Sequence, residues 1–134
     1  MTVILCADDR GGLSFNGRRQ SRDRAVSADL LSQAQGHTLW MEPNSRPLFP
    51  EEAANLRTAA EPWRQAGPAD LCFLELTGPD AALEGADRLI LYRWNRHYPA
   101  DRRLPLPPTG WTLTAQEEFP GHSHDTITKE IYLR

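Results

Sequence analysis

Val3, Ile4, Leu5, Cys6 and Ala7 form an unbroken apolar run at the start of the chain. A strand with one wet face alternates apolar and polar residues. A run without alternation suits a strand covered on both faces. This places Thr2–Ala7 in the middle of a sheet, with other elements packed above and below it. The run breaks at Asp8-Asp9-Arg10-Gly11-Gly12, and Asp8–Arg24 reads as a polar loop carrying three glycines and five arginines.

Beyond that loop the pattern alternates between helix and strand signals. A helix is expected from Ser27, whose hydroxyl can cap free amides, with Asp29 in its first turn and an end near Gln35, before Gly36. Thr38–Met41 reads as a second strand, closed by Pro43 and Pro47. Pro50-Glu51-Glu52 suits the opening of a second helix over Glu51–Ala60, since proline and acids both favour a first turn. Ala69–Leu76 and Arg88–Trp94 read as strands, with a short helix or turn at Pro79–Leu83 between them. Tyr98–Thr109 holds four prolines and is expected to be a surface excursion without a regular ladder. Trp111–Phe119 and Thr126–Leu133 read as a closing hairpin around Pro120–Asp125. The whole predicts one α/β domain over residues 1–134, a mostly parallel sheet with flanking helices and a C-terminal antiparallel hairpin.

A formal net charge of −3 over 134 residues excludes the whole-protein field of a general nucleic-acid binder. The basic residues are unusual in kind: 14 of the 15 are arginine, and Lys129 is the one lysine. Arginine suits bidentate contact with phosphate or carboxylate. Cys6 and Cys72 both lie in apolar runs and read as small buried hydrophobes. No apolar run reaches the length of a membrane span, and Met1 leads straight into a strand, so a cytoplasmic location without membrane contact is expected.

The order of these segments resembles the dihydrofolate reductase family over most of the chain. Four stretches carry the resemblance: Leu5-Cys6-Ala7-Asp8-Asp9-Arg10-Gly11-Gly12, Val26-Ser27-Ala28-Asp29-Leu30, Ala86-Asp87-Arg88-Leu89-Ile90-Leu91, and Gly110-Trp111-Thr112-Leu113 with the ending Ile131-Tyr132-Leu133-Arg134. The resemblance implies the dihydrofolate-reductase-like fold and a cleft facing Asp29, whose carboxylate would bind a guanidine-like edge of a heterocycle. Other stretches depart from the family. Its proline-tryptophan approach to the helix is replaced by Gln20-Ser21-Arg22-Asp23. Its glycine-arginine-x-threonine turn, which grips cofactor phosphate, is replaced by Met41-Glu42-Pro43-Asn44-Ser45-Arg46. There Ser45 and Arg46 could do a similar job and Glu42 would oppose it. Its paired glycines, which let pyrophosphate approach backbone amides, are replaced by Leu74-Glu75-Leu76-Thr77-Gly78-Pro79.

The residues themselves suggest several sites. Arg10, Arg18, Arg19, Arg22 and Arg24 could clamp phosphate, with Asn16, Gln20 and Ser21 as hydrogen-bonding partners and Phe15 as a stacking face. Trp94, between Arg93 and Arg96, is the tryptophan best placed to stack on a ligand ring. His122-Ser123-His124-Asp125 has the spacing of a weak metal run but reads better as a hairpin turn. His97 lies in a second histidine-arginine cluster. These features favour a non-reductase binding module for a nucleotide or related anionic heterocycle, with no cofactor and no resident metal. The expected ligand residues are Asp29, Arg18, Arg19, Arg22, Phe15, Ser45, Arg46 and Trp94. A small ribonuclease or RNA-binding protein, using a histidine for proton transfer, and an atypical NADPH-dependent reductase are the alternatives.

Overall fold

The computed structural model describes residues 1–77 and 79–134. Its main sheet contains β1 (Thr2–Ala7), β4 (Leu39–Met41), β5 (Leu56–Thr58), β6 (Leu71–Phe73), β7 (Arg88–Arg93), β9 (Thr112–Pro120) and β10 (Thr126–Leu133). The strand order is β5-β4-β6-β1-β7-β10-β9, which puts β1 at the centre. β1 pairs in parallel with β6 and β7, and β10 runs antiparallel to both β7 and β9. The expected hairpin is therefore present, with a register irregularity at Ile131/Tyr132. A small second sheet joins β2 (Gly12–Phe15) to β3 (Arg18–Arg19) and β8 (Arg102–Arg103).

The unbroken apolar run of β1 follows from its position. Val3, Leu5 and Ala7 enter one core with Cys72, Leu83, Leu89, Leu91 and Tyr132. Ile4, fully buried, enters the opposite core with Val26, Leu30, Met41, Phe73, Ile90 and Ile127. Side chains alternate across a strand, so a strand with a core on each side has no place for a polar residue. The two helices, α1 (Arg24–Gln33) and α2 (Pro79–Glu84), cover opposite faces.

Several local expectations are corrected. Residues 8–24 are not a bare loop, because β2 and β3 form a hairpin there and β8 pairs with β2. The proline-rich excursion thus has a short ladder of its own. α1 begins at Arg24, not Ser27, because Asp23 takes the cap position and accepts from the Ala25 amide. Asp29 is consequently one turn further into the helix than its expected place. Glu51–Ala60 is not helical: a single turn is followed by Asn55 at φ 66° and then by β5, which extends the sheet beside β4. Leu56 is the only large apolar residue in that stretch, too little to hold a helix against the core. The helical segment lies earlier, as a 3-10 helix at Pro43–Leu48. Gly78, part of the stretch that replaces paired glycines, lies outside the described residues.

Candidate functional site

The entry to α1 and the β9–β10 turn are held together by one carboxylate. Asp23, buried, accepts the backbone N–H groups of Ala25, His122, Ser123 and His124 and the ring Nδ1–H of His124 at 2.9 Å. Burial alone would raise the carboxyl pKa, but these donors outweigh it and hold the group far below the ordinary carboxylate range. Gly121 is required at this junction, since a methyl there would meet the His124 carbonyl and the Asp23 carboxylate.

Because the ionised Asp23 can only accept, the His124 Nδ1 must donate, and in the neutral imidazole the lone pair lies on Nε2. Ser21 Oγ is 3.2 Å from that Nε2 and Tyr98 Oη is 2.9 Å from it. The Tyr98 hydroxyl is also 3.3 Å from Ser21 Oγ. Trp94 stacks on the imidazole at 4.7 Å with planes 22° apart. Asp8 fixes the far side. Its carboxylate accepts from the amides of Arg10, Gly12 and Tyr98 and from the Gln20 side chain. Again these donors overcome burial and hold the carboxyl low.

After β4, a second carboxylate gathers successive amides. Glu42, buried, follows β4 and accepts from the amides of Glu75 and Leu76 at 2.8 and 3.1 Å and from the Thr77 hydroxyl. Glu75 in turn receives two N–H groups of Arg19 and the Ser45 hydroxyl, the last at 2.8 Å. Arg19 also reaches the Asn44 carbonyl. The turns after β4 and β6 and the β2–β3 hairpin are therefore stitched together by protein groups alone. Cys6 lies nearby, and burial followed by the Glu75 charge pushes its thiol well up, away from thiolate reactivity.

The expected ligand residues fall into different surroundings. Arg19 and Ser45 come together on Glu75. Arg46 donates to the carbonyls of Phe49, Pro50 and Glu51. Asp29 accepts the Tyr92 hydroxyl at 2.6 Å and Lys129 Nζ at 2.8 Å, on the face of α1 that meets β7 and β10. Trp94 is buried against His124. Phe15 and Arg18 are exposed on the tip of the β2–β3 hairpin. Arg22 lines an open cleft of about 370 Å³ with Arg24, Ser27, Pro47, Leu48, His122 and Ser123. Among the described residues, neither Arg22 nor Arg24 makes an ion pair, and no carboxylate faces the cleft except the saturated Asp23. A narrow slot adjoins it, with Arg22, Asp23, Ser27 and Leu48 as shared walls. Cys6, Ser21, Val26, Leu30, Phe49, Phe73, Glu75 and Trp94 complete the slot, which has room for little more than one water-sized group. No cluster of three or more His, Cys, Asp or Glu among the described residues is arranged to hold a metal, and no helix is long and apolar enough to cross a membrane.

Sequence reasoning named Ser21 only as a minor partner and missed its place beside His124. It missed Arg24 and His122 as walls of one cleft. These residues are about 100 positions apart, and only the closing hairpin brings them together. Asp23, set between Arg22 and Arg24 in the sequence, was the visible signal.

No known family model and no curated protein matches the sequence. Among solved structures, the chain is similar to the dihydrofolate reductase of Enterococcus faecalis, solved in complex with NADP(H) and RAB-propyl. The TM-score is 0.64 at 15% identity, over 99% of this chain and 95% of that one. The fold is therefore dihydrofolate-reductase-like, as the segment order implies.

Proposed function

We propose that this chain, built on the dihydrofolate reductase fold, is a non-reductase binding module for a nucleotide or a related anionic heterocycle. The observation that carries this reading is the contrast between two seats for negative charge. The amides after β6, where the fold family admits cofactor pyrophosphate, already hold the carboxylate of Glu42. A phosphate arriving there would meet Glu42 and Glu75 at close range, and like charges in a half-buried site repel strongly. The residues present do not fit the dinucleotide cofactor. The cleft beside α1 is the reverse case. Arg22 and Arg24, which make no ion pair among the described residues, line a concave surface of the size that small ligands use, and guanidinium forks match phosphate and carboxylate.

Calorimetric titration with mononucleotides and with NADPH tests the reading. The expected result is measurable mononucleotide binding, lost in an Arg22→Ala/Arg24→Ala variant, and no micromolar NADPH binding. Micromolar affinity for NADPH, roughly −8 kcal/mol, would sink it and restore the reductase. Polymer binding would show itself by a steep salt dependence, near −0.7 per neutralised phosphate on single strands; a mononucleotide should show a shallower one.

A further inference from the structure

We propose that Ser21 is an acyl-accepting nucleophile, activated by His124 and turned toward the slot beside the arginine-lined cleft. The geometry supplies three linked parts. Asp23 fixes the imidazole through Nδ1 at 2.9 Å, His124 Nε2 faces Ser21 Oγ at 3.2 Å, and Ser21 lines the slot. His124 and Asp23 are both buried, while Ser21 is half-buried. Ser21 is thus the member of the group that a substrate can reach. Nδ1–H donates to Asp23, and the Nε2 lone pair is shared between two hydroxyls, Tyr98 Oη at 2.9 Å and Ser21 Oγ at 3.2 Å; Ser21 O–H donates to Nε2 when Tyr98 O–H turns to Ser21 Oγ, 3.3 Å away. Trp94 stacking and the saturated Asp23 hold the ring in that orientation. Nucleophile, base and orienting carboxylate within hydrogen-bond reach are recognised by geometry, not by sequence order.

The chemistry balances with water as co-reactant. Ser21 Oγ adds to an ester carbonyl as its proton passes to His124 Nε2. The ester C–O bond then breaks, and the departing alcohol takes that proton. Water adds to the acyl-serine, again giving a proton to Nε2; the serine oxygen recovers it as the carboxylic acid leaves. Arg22, on the wall of the same slot, has its charge available to the oxyanion, while Glu75 on that wall is engaged by Arg19 and Ser45. With room for little more than one water-sized group, the slot excludes any acyl chain longer than acetyl. The adjoining cleft takes an alcohol portion bearing phosphate or carboxylate. That second feature rests on the binding-module reading; the nucleophile does not.

The test is acetyl transfer from 4-nitrophenyl acetate to the full chain. The expected result is a burst of 4-nitrophenolate near one per protein, with one acetyl group mapped by mass spectrometry to Ser21. Ser21→Ala, shown to be folded by circular dichroism, should lose both. His124→Gln should slow acylation by roughly 10²-fold or more. Should that variant unfold, Ser21→Cys, which keeps a nucleophile beside Nε2, should still take up one acetyl group at position 21, and its failure to do so overturns the activated nucleophile. An intact wild-type protein with no acetyl on Ser21, or a burst unchanged in Ser21→Ala, overturns the nucleophile. An aryl acetate with a carboxylate on its leaving group should react faster than the neutral ester, and Arg24→Ala should abolish that preference. Acylation of Ser21 without any preference would overturn the anionic substrate class and the cleft reading with it, and leave the nucleophile standing.

Discussion

Two loops of this molecule do the same thing with opposite consequences. The turn at 122–124 and the turn at 75–77 each aim successive backbone amides at one point, and each finds a carboxylate of the chain there, Asp23 or Glu42. Around Glu42 the neighbours are Glu75, Arg19 and Ser45, all engaged with one another. That end is closed. Around Asp23 the carboxylate is satisfied from within, and the arginines on either side of it, Arg22 and Arg24, face an open cleft. A filled amide nest is thus not by itself a dead site. What decides is whether neighbouring cations are consumed by neighbouring acids.

The sharpest way to break the comparison is at Asp23. Asp23→Ala leaves several donors unpaired and removes the α1 cap, so a loss above about 3 kcal/mol is expected. Thermal melting should show a drop of roughly 10 °C or more. The pH dependence has a definite sign. The folded carboxyl lies below its unfolded value, so its stabilisation is complete above the ordinary aspartate range near 3.9 and is lost as pH falls toward the folded value. Melts from pH 5 to pH 2 should show this acid limb, and Asp23→Asn should make it shallower, leaving the part that Asp8 contributes. A variant as stable as wild type would mean the junction is not held by this carboxylate.

Glu42 comes next. Glu42→Ala should cost about 2 kcal/mol, because the Glu75 and Leu76 amides and the Thr77 hydroxyl lose their acceptor. Added inorganic phosphate should then raise the melting temperature of this variant and not that of wild type, since an external anion can replace the lost one. Equal responses in the two proteins would show that the seat is not anion-selective. Smaller in stability, and decisive for binding, is Arg24→Ala. It should leave the melting temperature within the range of about 0.5 kcal/mol expected of a surface change and weaken a mononucleotide about tenfold, near 1.4 kcal/mol. The smallest effect is expected at Arg18, exposed on the hairpin tip and away from the cleft. Arg18→Ala should change neither readout; a tenfold loss of binding would move the site onto the hairpin.

Much of the fold was legible because it is written in local pattern. The unbroken β1 run required two cores, and the alternation of helix and strand signals gave the sheet and its closing hairpin. Errors arose where two local signals were equally good. Ser27 and Asp23 both make sound caps, and Asp23 wins because it also meets amides 100 residues away. Proline and two acids made Glu51 look like a helix start, but the stretch lacks an apolar stripe, and pairing with β4 claims Leu56–Thr58. At the site, the opposition of Glu42 to phosphate was readable from its charge. That it would itself occupy the amide seat was not, because the seat forms only when β4 and β6 lie side by side. Ser21 gave no local signal: its importance comes from His124, and the distance between them in sequence hides it.

Glu42 also sets how the protein responds to its surroundings. A protein stabilised by a diffusible anion gains stability in proportion to the logarithm of that anion's concentration. An anion tethered to the same chain acts at a fixed effective concentration, independent of supply and dilution. The seat filled by Glu42 is therefore indifferent to the concentration of free phosphate or nucleotide, and it is held before any ligand arrives. Whatever the open end binds meets a wall already set in place.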